Sequence, residues 1–198
     1  MIDNKVSYEN QTVIVTGAAR GIGAATARLV AARGAQVYAF DINREGLLDL
    51  QRELSLPDSQ IGTLDIGNQS SISSTIGAVV KSAGKIDALI NTAGIVGPTN
   101  VKVEDVNWAD FENTLRVNLY GTIWLTQAVV PHMKGAKYGR IAHVASIAGK
   151  EGNPGMSPYN VSKSGMIGFI KGVAKEIAPD GITINALAPA VISTPMNA

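Results

Sequence analysis

Cysteine is absent from this 198-residue sequence, and its absence excludes several kinds of site. The chain can form no disulfide scaffold, no thiolate metal site and no cysteine nucleophile. Its aspartate and glutamate residues also lack the spacing of metal ligands, so we expect no metal site. A chain without disulfides is compatible with a reducing, cytoplasmic location.

Net charge and long apolar runs are lacking as well. The formal charge is only +1, and no basic run is present, so we expect no nucleic-acid partner. No apolar run reaches the length of about 18 residues that spans a membrane. The first residues, from Met1 to Val6, contain no apolar signal core. We therefore expect a cytoplasmic protein with no membrane association.

Short apolar runs alternate with longer amphipathic ones along the chain. The length and the hydrophobic content of 45% favour a single domain over residues 1–198. Runs rich in β-branched residues predict strands, and apolar residues three and four positions apart predict helices. Strands are predicted at residues 12–16, 36–40, 61–64, 88–91, 140–145 and 182–187. Helices are predicted at residues 21–33, 44–54, 69–83, 108–117, 119–133 and 158–178.

This alternation predicts an α/β fold built from βαβ units. The strands are apolar throughout, as expected for a parallel sheet covered by helices on both faces. We expect a Rossmann-like, doubly wound sheet with the strand order 3-2-1-4-5-6. Such sheets bind ligands at the carboxyl ends of their strands, so the residues after each strand are the candidates for a site.

A glycine-rich segment follows the first predicted strand directly. It runs from Thr16 to Gly23, with glycines in the pattern GxxxGxG. Gly17, Gly21 and Gly23 would allow a tight turn and a close approach of the backbone to a pyrophosphate. The N-terminus of the next helix would attract that anion. An ordinary glycine-rich turn is the alternative, but the strand–loop–helix setting favours a dinucleotide site.

Asp41 follows the second predicted strand, 18 residues after Gly23. A carboxylate at this place can accept hydrogen bonds from the adenosine ribose hydroxyls and would repel a 2′-phosphate. The sequence therefore predicts NAD as the cofactor in preference to NADP. Arg20 and Arg44 could weaken this preference by contacting a phosphate, and a solvated aspartate at a strand end is the simpler alternative.

A tyrosine and a lysine four residues apart lie within the last predicted helix. Tyr159 and Lys163 would therefore share one helical face. An ammonium beside a phenol stabilises the phenolate, which would prepare Tyr159 to exchange a proton with an alcohol. Ser146 follows the fifth strand, so its hydroxyl is expected at the same edge of the sheet. Taken alone this spacing is a weak signal, because most such pairs are surface neighbours.

Taken together, these residues resemble the short-chain dehydrogenase/reductase family. The matching residues occur in the family's order over nearly the whole chain. They are Thr16–Gly23, Asp41, Asp65, Asn91–Gly94, Asn118, Ser146, Tyr159, Lys163 and Pro189–Thr194. The resemblance implies reversible hydride transfer between a nicotinamide cofactor and a secondary alcohol or ketone.

The resemblance also implies a role for each matching residue. Tyr159 would be the general acid/base, Lys163 would bind the nicotinamide ribose, and Ser146 would hydrogen-bond the reacting oxygen. Asn118 would hold a water molecule that links Lys163 to solvent. Cofactor contacts are implied for Gly17, Arg20, Gly21, Ile22, Gly23, Asp41, Asp65, Ile66, Asn91, Ala93, Gly94, Tyr159, Lys163, Pro189, Ile192 and Thr194.

Three features depart from the family's pattern. Thr92 replaces the second asparagine of Asn-Asn-Ala-Gly, which puts the hydrogen bonding of the fourth strand in question. Ala190 replaces a glycine after Pro189, which puts the backbone angles of that loop in question. The chain also ends at Ala198, several tens of residues before the family normally does. We therefore expect the C-terminal substrate lid and a seventh strand to be missing from it.

Three functions fit these observations. The segments 91–98 and 149–156 look similar to NAD-linked sugar-acid and polyol dehydrogenases and also to 3-oxoacyl-carrier-protein reductases. Asp41 favours the first group, because the acyl reductases usually use NADPH. The third function is a non-catalytic, dinucleotide-sensing regulator. Such regulators typically lose the Tyr or the Lys, and this chain has both Tyr159 and Lys163.

The helices over residues 108–133 and 158–178 carry wide apolar faces. The resemblance implies that these helices form the interface of a homodimer or homotetramer. The apolar residues expected there are Trp124, Leu125, Val129, Ile167 and Ile170. His143, on the fifth strand, is expected to be a core residue rather than a catalytic or metal-binding one.

Overall fold

Six parallel strands form the centre of the structure, a computed structural model that describes residues 6–192. The strands are β1 (Thr12–Thr16), β2 (Gln36–Asp41), β3 (Ile61–Thr63), β4 (Ala88–Asn91), β5 (Gly139–Val144) and β6 (Ile182–Leu187). Their order is β3-β2-β1-β4-β5-β6, and every neighbouring pair is parallel. The predicted fold class and strand order are therefore confirmed.

Helices connect the strands. They are α1 (Gly21–Ala31), α2 (Arg44–Leu54), α3 (Gln69–Ala83), α4 (Trp108–Leu115), α5 (Gly121–Ala136), α6 (Ala148–Glu151) and α7 (Ser157–Ile177). A π-helical turn, Arg116–Tyr120, joins α4 to α5. Asparagines start three of these helices: the side chains of Asn43, Asn68 and Asn107 accept hydrogen bonds from first-turn N–H groups.

The sheet is buried on both faces, as its apolar strands predict. Val13 and Val15 of β1 pack against α1 and α2, whereas Ile14 between them belongs to the core shared with α3, α5 and α7. This division follows from the pleat, which directs successive side chains to opposite faces. No helix within residues 6–192 is long and apolar enough to cross a membrane.

Three of the residues expected at a subunit interface lie in the core of the single chain instead. Leu125 and Val129 are fully buried, and Ile170 is 4% exposed. These side chains already pack against the sheet and are unavailable to a second subunit, so that part of the prediction is wrong. The large apolar residues that α4 and α7 do expose are Trp108 and Val161.

Candidate active site

A cleft of about 490 Å³ opens at the carboxyl ends of the strands. It is lined by residues that follow β1, β2, β3, β4, β5 and β6 and by the first turns of α1 and α7. The predicted site residues that line it are Gly17, Arg20, Gly21, Ile22, Gly23, Asp41, Asp65, Ile66, Ala93, Gly94, Ser146, Tyr159, Lys163, Pro189 and Ile192. Asn91 and Asn118 lie behind its wall, and Thr194 is outside the described residues.

The glycine-rich loop shapes one end of the cleft. Gly17 and Gly21 have φ angles of +71° and +54°, a region that side chains disfavour. A Cβ atom on Gly23 would meet the carbonyl oxygen of Gly17 and would lie 2.6 Å from Oγ1 of Thr92. No side chain caps the N-terminus of α1, so its N–H groups face solvent or a ligand. This backbone-lined cradle fits a pyrophosphate.

Thr92 preserves the hydrogen bonding that its departure from the family pattern put in question. Its N–H donates to the carbonyl oxygen of Thr16 at 3.1 Å, and its hydroxyl donates to the same oxygen at 2.8 Å. Ala190 raises no strain either. Among residues 6–192, the non-glycine residues with positive φ are Asn10, Ser55, Asn100 and Lys137.

The carboxylate of Asp41 is fixed at the mouth of this loop. Its Oδ2 accepts a hydrogen bond from the N–H of Ala19 at 3.0 Å, and its Oδ1 accepts one from the N–H of Asn43 at 2.9 Å. Both donors are neutral backbone groups, so these bonds place no opposite charge beside the carboxylate. Ile42, beside it, is 69% exposed and lines the same end.

Tyr159 and Lys163 stand one turn apart on α7, as their spacing predicts. The Lys163 Nζ atom lies 5.5 Å from the centre of the Tyr159 ring. It donates a hydrogen bond to the carbonyl oxygen of Val144 at 2.9 Å. Burial lowers the pKa of Lys163 to about 8, which leaves most of the ammonium charged at neutral pH. A positive charge is thereby held beside the phenol.

Ser146 lies between β5 and a short helix, α6, that the sequence did not reveal. Its Oγ accepts a hydrogen bond from the N–H of Ala148, the first residue of α6, at 3.2 Å. A Cβ atom on Gly149 would lie 2.6 Å from the carbonyl carbon of Lys163. The close packing of α6 on α7 therefore fixes Ser146 relative to Tyr159. At four residues, α6 is too short for helical periodicity to signal it.

Asn118 lies in the π-helical turn and is fully buried. Its Oδ1 accepts a hydrogen bond from the N–H of Ile95 at 2.9 Å, and its Nδ2 donates to the carbonyl oxygen of Ile95 at 2.8 Å. A Cβ atom on Gly94 would lie 3.0 Å from this Oδ1 and 3.6 Å from the Lys163 Nζ. Asn118 thus holds the chain after β4 close to Lys163.

Most of the apolar lining has no signal in the sequence, including Ile95, Val96, Ile147 and Val191. Apolar residues in loops carry no periodic pattern that marks them as lining a cleft. Asn153 and Met156 also line it, in the segment that the sequence places between Ser146 and Tyr159. Within residues 6–192, no group of three His, Asp or Glu side chains is placed to hold a metal ion.

Comparison with known protein sequences places these residues in context. A family model described as short chain dehydrogenase matches residues 11–198. The 2-dehydro-3-deoxy-L-rhamnonate dehydrogenase (NAD(+)) of a Sphingomonas strain is 38% identical over 189 residues, which are 96% of this chain and 75% of that protein. The 3-oxoacyl-carrier-protein reductase of Thermotoga maritima is 39% identical over 191 residues, which are 95% of this chain and 76% of that protein.

Two solved structures are also similar to this chain over most of its length. NAD⁺-bound xylitol dehydrogenase superposes with a TM-score of 0.86 at 33% identity, over 93% of this chain and 72% of that one. The protein gox2181 superposes with a TM-score of 0.92 at 30% identity, over 100% of this chain and 78% of that one.

Proposed function

Because this chain belongs to the short-chain dehydrogenase family, whose members use a nicotinamide dinucleotide, we propose that it transfers hydride reversibly between NAD and a secondary alcohol. The proposed substrate is a sugar acid, a polyol or a similar polar hydroxy compound. One observation carries the proposal: Ser146, Tyr159 and Lys163 line the same cleft as the backbone cradle and Asp41. That arrangement offers a proton-exchange site and an anion cradle in one space.

The proposed chemistry divides between the cofactor and the side chains. When bound, the nicotinamide ring supplies or accepts the hydride. The Tyr159 hydroxyl exchanges a proton with the substrate oxygen, and the Ser146 hydroxyl hydrogen-bonds the same oxygen. The Lys163 ammonium stabilises the Tyr159 phenolate and would hold the nicotinamide ribose. Asn118 lies behind the cleft wall and supports the position of Lys163, because it fixes the segment after β4 that lies next to the Lys163 ammonium.

The other end of the cleft would hold the rest of the cofactor. The backbone of Gly17–Gly23 would cradle the pyrophosphate, and Asp41 would accept hydrogen bonds from the adenosine ribose. Asp65 and Ile66 would contact adenine. Asp65 is held in place because its Oδ1 accepts a hydrogen bond from the N–H of Gly67 at 2.8 Å.

A screen of cofactor absorbance tests the proposed function. The protein is incubated with NAD or NADP and a panel of polyols and sugar acids, and with NADH or NADPH and acetoacetyl thioesters. We expect turnover with NAD and a polar hydroxy compound. Turnover confined to NADPH and the thioester would support the second candidate, a 3-oxoacyl-carrier-protein reductase, which the Thermotoga maritima relative favours. Cofactor binding with no turnover at all would contradict both and favour a regulator.

We also propose that the chain forms a homodimer or homotetramer through α4 and α7. Trp108 on α4 is 71% exposed and stacks on Phe111 with ring centres 5.2 Å apart, and Val161 on α7 is 47% exposed. Covering such side chains favours association. Light scattering at micromolar concentration should give two or four times the 20.6 kDa chain mass, and Trp108→Lys should lower it. A monomer in the unmodified protein would contradict this proposal.

A further inference from the structure

His143 is a fully buried titratable residue to which the proposed chemistry gives no part. It lies on β5 directly opposite Asn91 of β4. Its Nδ1 is 3.2 Å from the Nδ2 of Asn91, and its Nε2 is 3.0 Å from the Oγ1 of Thr126 on α5. Both ring nitrogens therefore have a partner, and neither reaches the cleft.

The hydrogen bonds of Asn91 determine which nitrogen carries the proton. Its Oδ1 faces the N–H of Ala93 at 3.2 Å and the hydroxyl of Thr16 at 2.6 Å. A backbone N–H can only donate, so this amide atom must be the oxygen. The Nδ2 donor then faces His143, which makes Nδ1 an acceptor and leaves the proton on Nε2, where it is donated to Thr126.

The imidazole is also held in its neutral form. Burial, with a smaller contribution from the positive charge of Lys163, lowers the pKa of His143 to about 3. A protonated Nδ1 would in addition face the Nδ2 donor of Asn91 at 3.2 Å. Lys163 is the charged group that acts on His143, and the other side chains bonded to the ring are neutral.

We propose that His143 is a positioning residue: its Nδ1 fixes the orientation of the Asn91 amide, and that amide fixes the two turns that form the cofactor wall of the cleft. Thr16 immediately precedes Gly17 of the backbone cradle, and Ala93 lines the cleft itself. The Asn91 Nδ2 also donates to the Oγ1 of Thr122 at 3.2 Å, so loss of the Nδ1 acceptor would leave one bond instead of two on this side of the amide and would loosen its bonds to both turns. The inference rests on the proposed function only in that the cleft binds a nicotinamide dinucleotide.

Two substitutions distinguish the roles of the two ring nitrogens of His143. His143→Asn places an acceptor near the position of Nδ1, and His143→Gln places a polar group near the position of Nε2 only. Both leave a cavity and lower the stability of the fold, so Tm does not discriminate between them. Ile141→Val, also buried on β5, is the control for a small core defect outside the network.

The first readout is hydrogen exchange in the protein without cofactor, followed on a peptide that contains Ala93. We expect exchange about tenfold faster in His143→Gln than in the unmodified protein, since one buried hydrogen bond is lost. Exchange in His143→Asn and in Ile141→Val should stay within about threefold of normal. The Kd for NADH should follow the same order, with about tenfold weaker binding confined to His143→Gln.

The second readout is the ¹⁵N spectrum of the protein labelled at histidine. Only two histidines are present, and the exposed His132 provides the internal reference signal. We expect His143 to show the Nε2–H tautomer without titration near neutral pH. An Nδ1–H tautomer, or normal exchange and NADH affinity in His143→Gln, would overturn the inference. If the unmodified protein binds no NADH, the proposed function fails, and exchange and tautomer still decide the role of His143.

Discussion

Replacing Tyr159 by phenylalanine is expected to lower kcat by about 10²–10⁴-fold, the range that proton transfer by a positioned side chain contributes. The phenol lines the cleft with Ser146, and the Lys163 ammonium lies 5.5 Å from its ring. Removing the hydroxyl takes away the group that accepts a proton from the alcohol, or returns one to the ketone, and leaves the ring in place. The Kd for NADH should therefore stay close to normal, because the cradle and Asp41 are unchanged.

A second tyrosine provides the matched control for this experiment. Tyr138 is outside the cleft, and its ring packs under the guanidinium of Arg140 at 4.3 Å. Tyr138→Phe removes the same atom and keeps that contact, so kcat should not change. Steady-state kinetics measures kcat, and NADH titration measures the Kd, for both variants. Turnover near normal in Tyr159→Phe would remove Tyr159 from the mechanism.

The sheet and the ends of its strands could be predicted from the sequence, because a strand that is buried on both faces has an uninterrupted run of apolar residues. Val13, Ile14 and Val15 are apolar in succession since each packs against a helix on one face or the other. The residues after such strands are then placed at one edge by topology alone. This is why the sequence alone places Gly17, Asp41 and Ser146 at the cleft.

What lies behind the cleft wall could not be predicted in the same way. That Asn118 holds a water molecule stays a prediction, and the pairing of its amide with the backbone of Ile95 had no signal in the sequence. That Asn91 contacts the cofactor also stays a prediction, and the bonds of its side chain to Thr16 and His143 beneath the cleft had no signal in the sequence. The partners in these hydrogen bonds are 23 to 75 residues apart in sequence, so no local pattern marks them.

Periodicity also failed to separate core residues from interface residues. Leu125 and Val129 show the same helical spacing whether a helix packs against its own sheet or against a second subunit. Only the positions of α3 and the sheet decide that they are covered within the chain. The oligomeric state therefore depends on a smaller set of exposed side chains than the sequence indicates.

The preference for NAD over NADP is the other large effect that we expect, and it depends on Asp41. A 2′-phosphate beside this carboxylate would bring two like charges within a few ångströms. At about 4 Å the repulsion is about 1 kcal/mol in water and about 4 kcal/mol at an effective dielectric constant of about 20. This range corresponds to a factor of about 5 to 1,000 in binding. Arg20 and Arg44 could offset it by contacting the phosphate, while the bonds to Ala19 and Asn43 hold the carboxylate in place.

We therefore expect kcat/KM to favour NAD by at least about fivefold in the unmodified protein. Asp41→Asn removes the charge and keeps an acceptor oxygen, so the ratio should fall while activity with NAD largely remains. Asp41→Ala removes both, so the ratio should fall and activity with NAD should fall as well. Asp49→Ala on α2 changes the net charge equally outside the cleft and should leave the ratio unchanged. Equal use of the two cofactors by the unmodified protein would contradict the assignment. An unchanged ratio in Asp41→Asn would show that another residue discriminates between NAD and NADP.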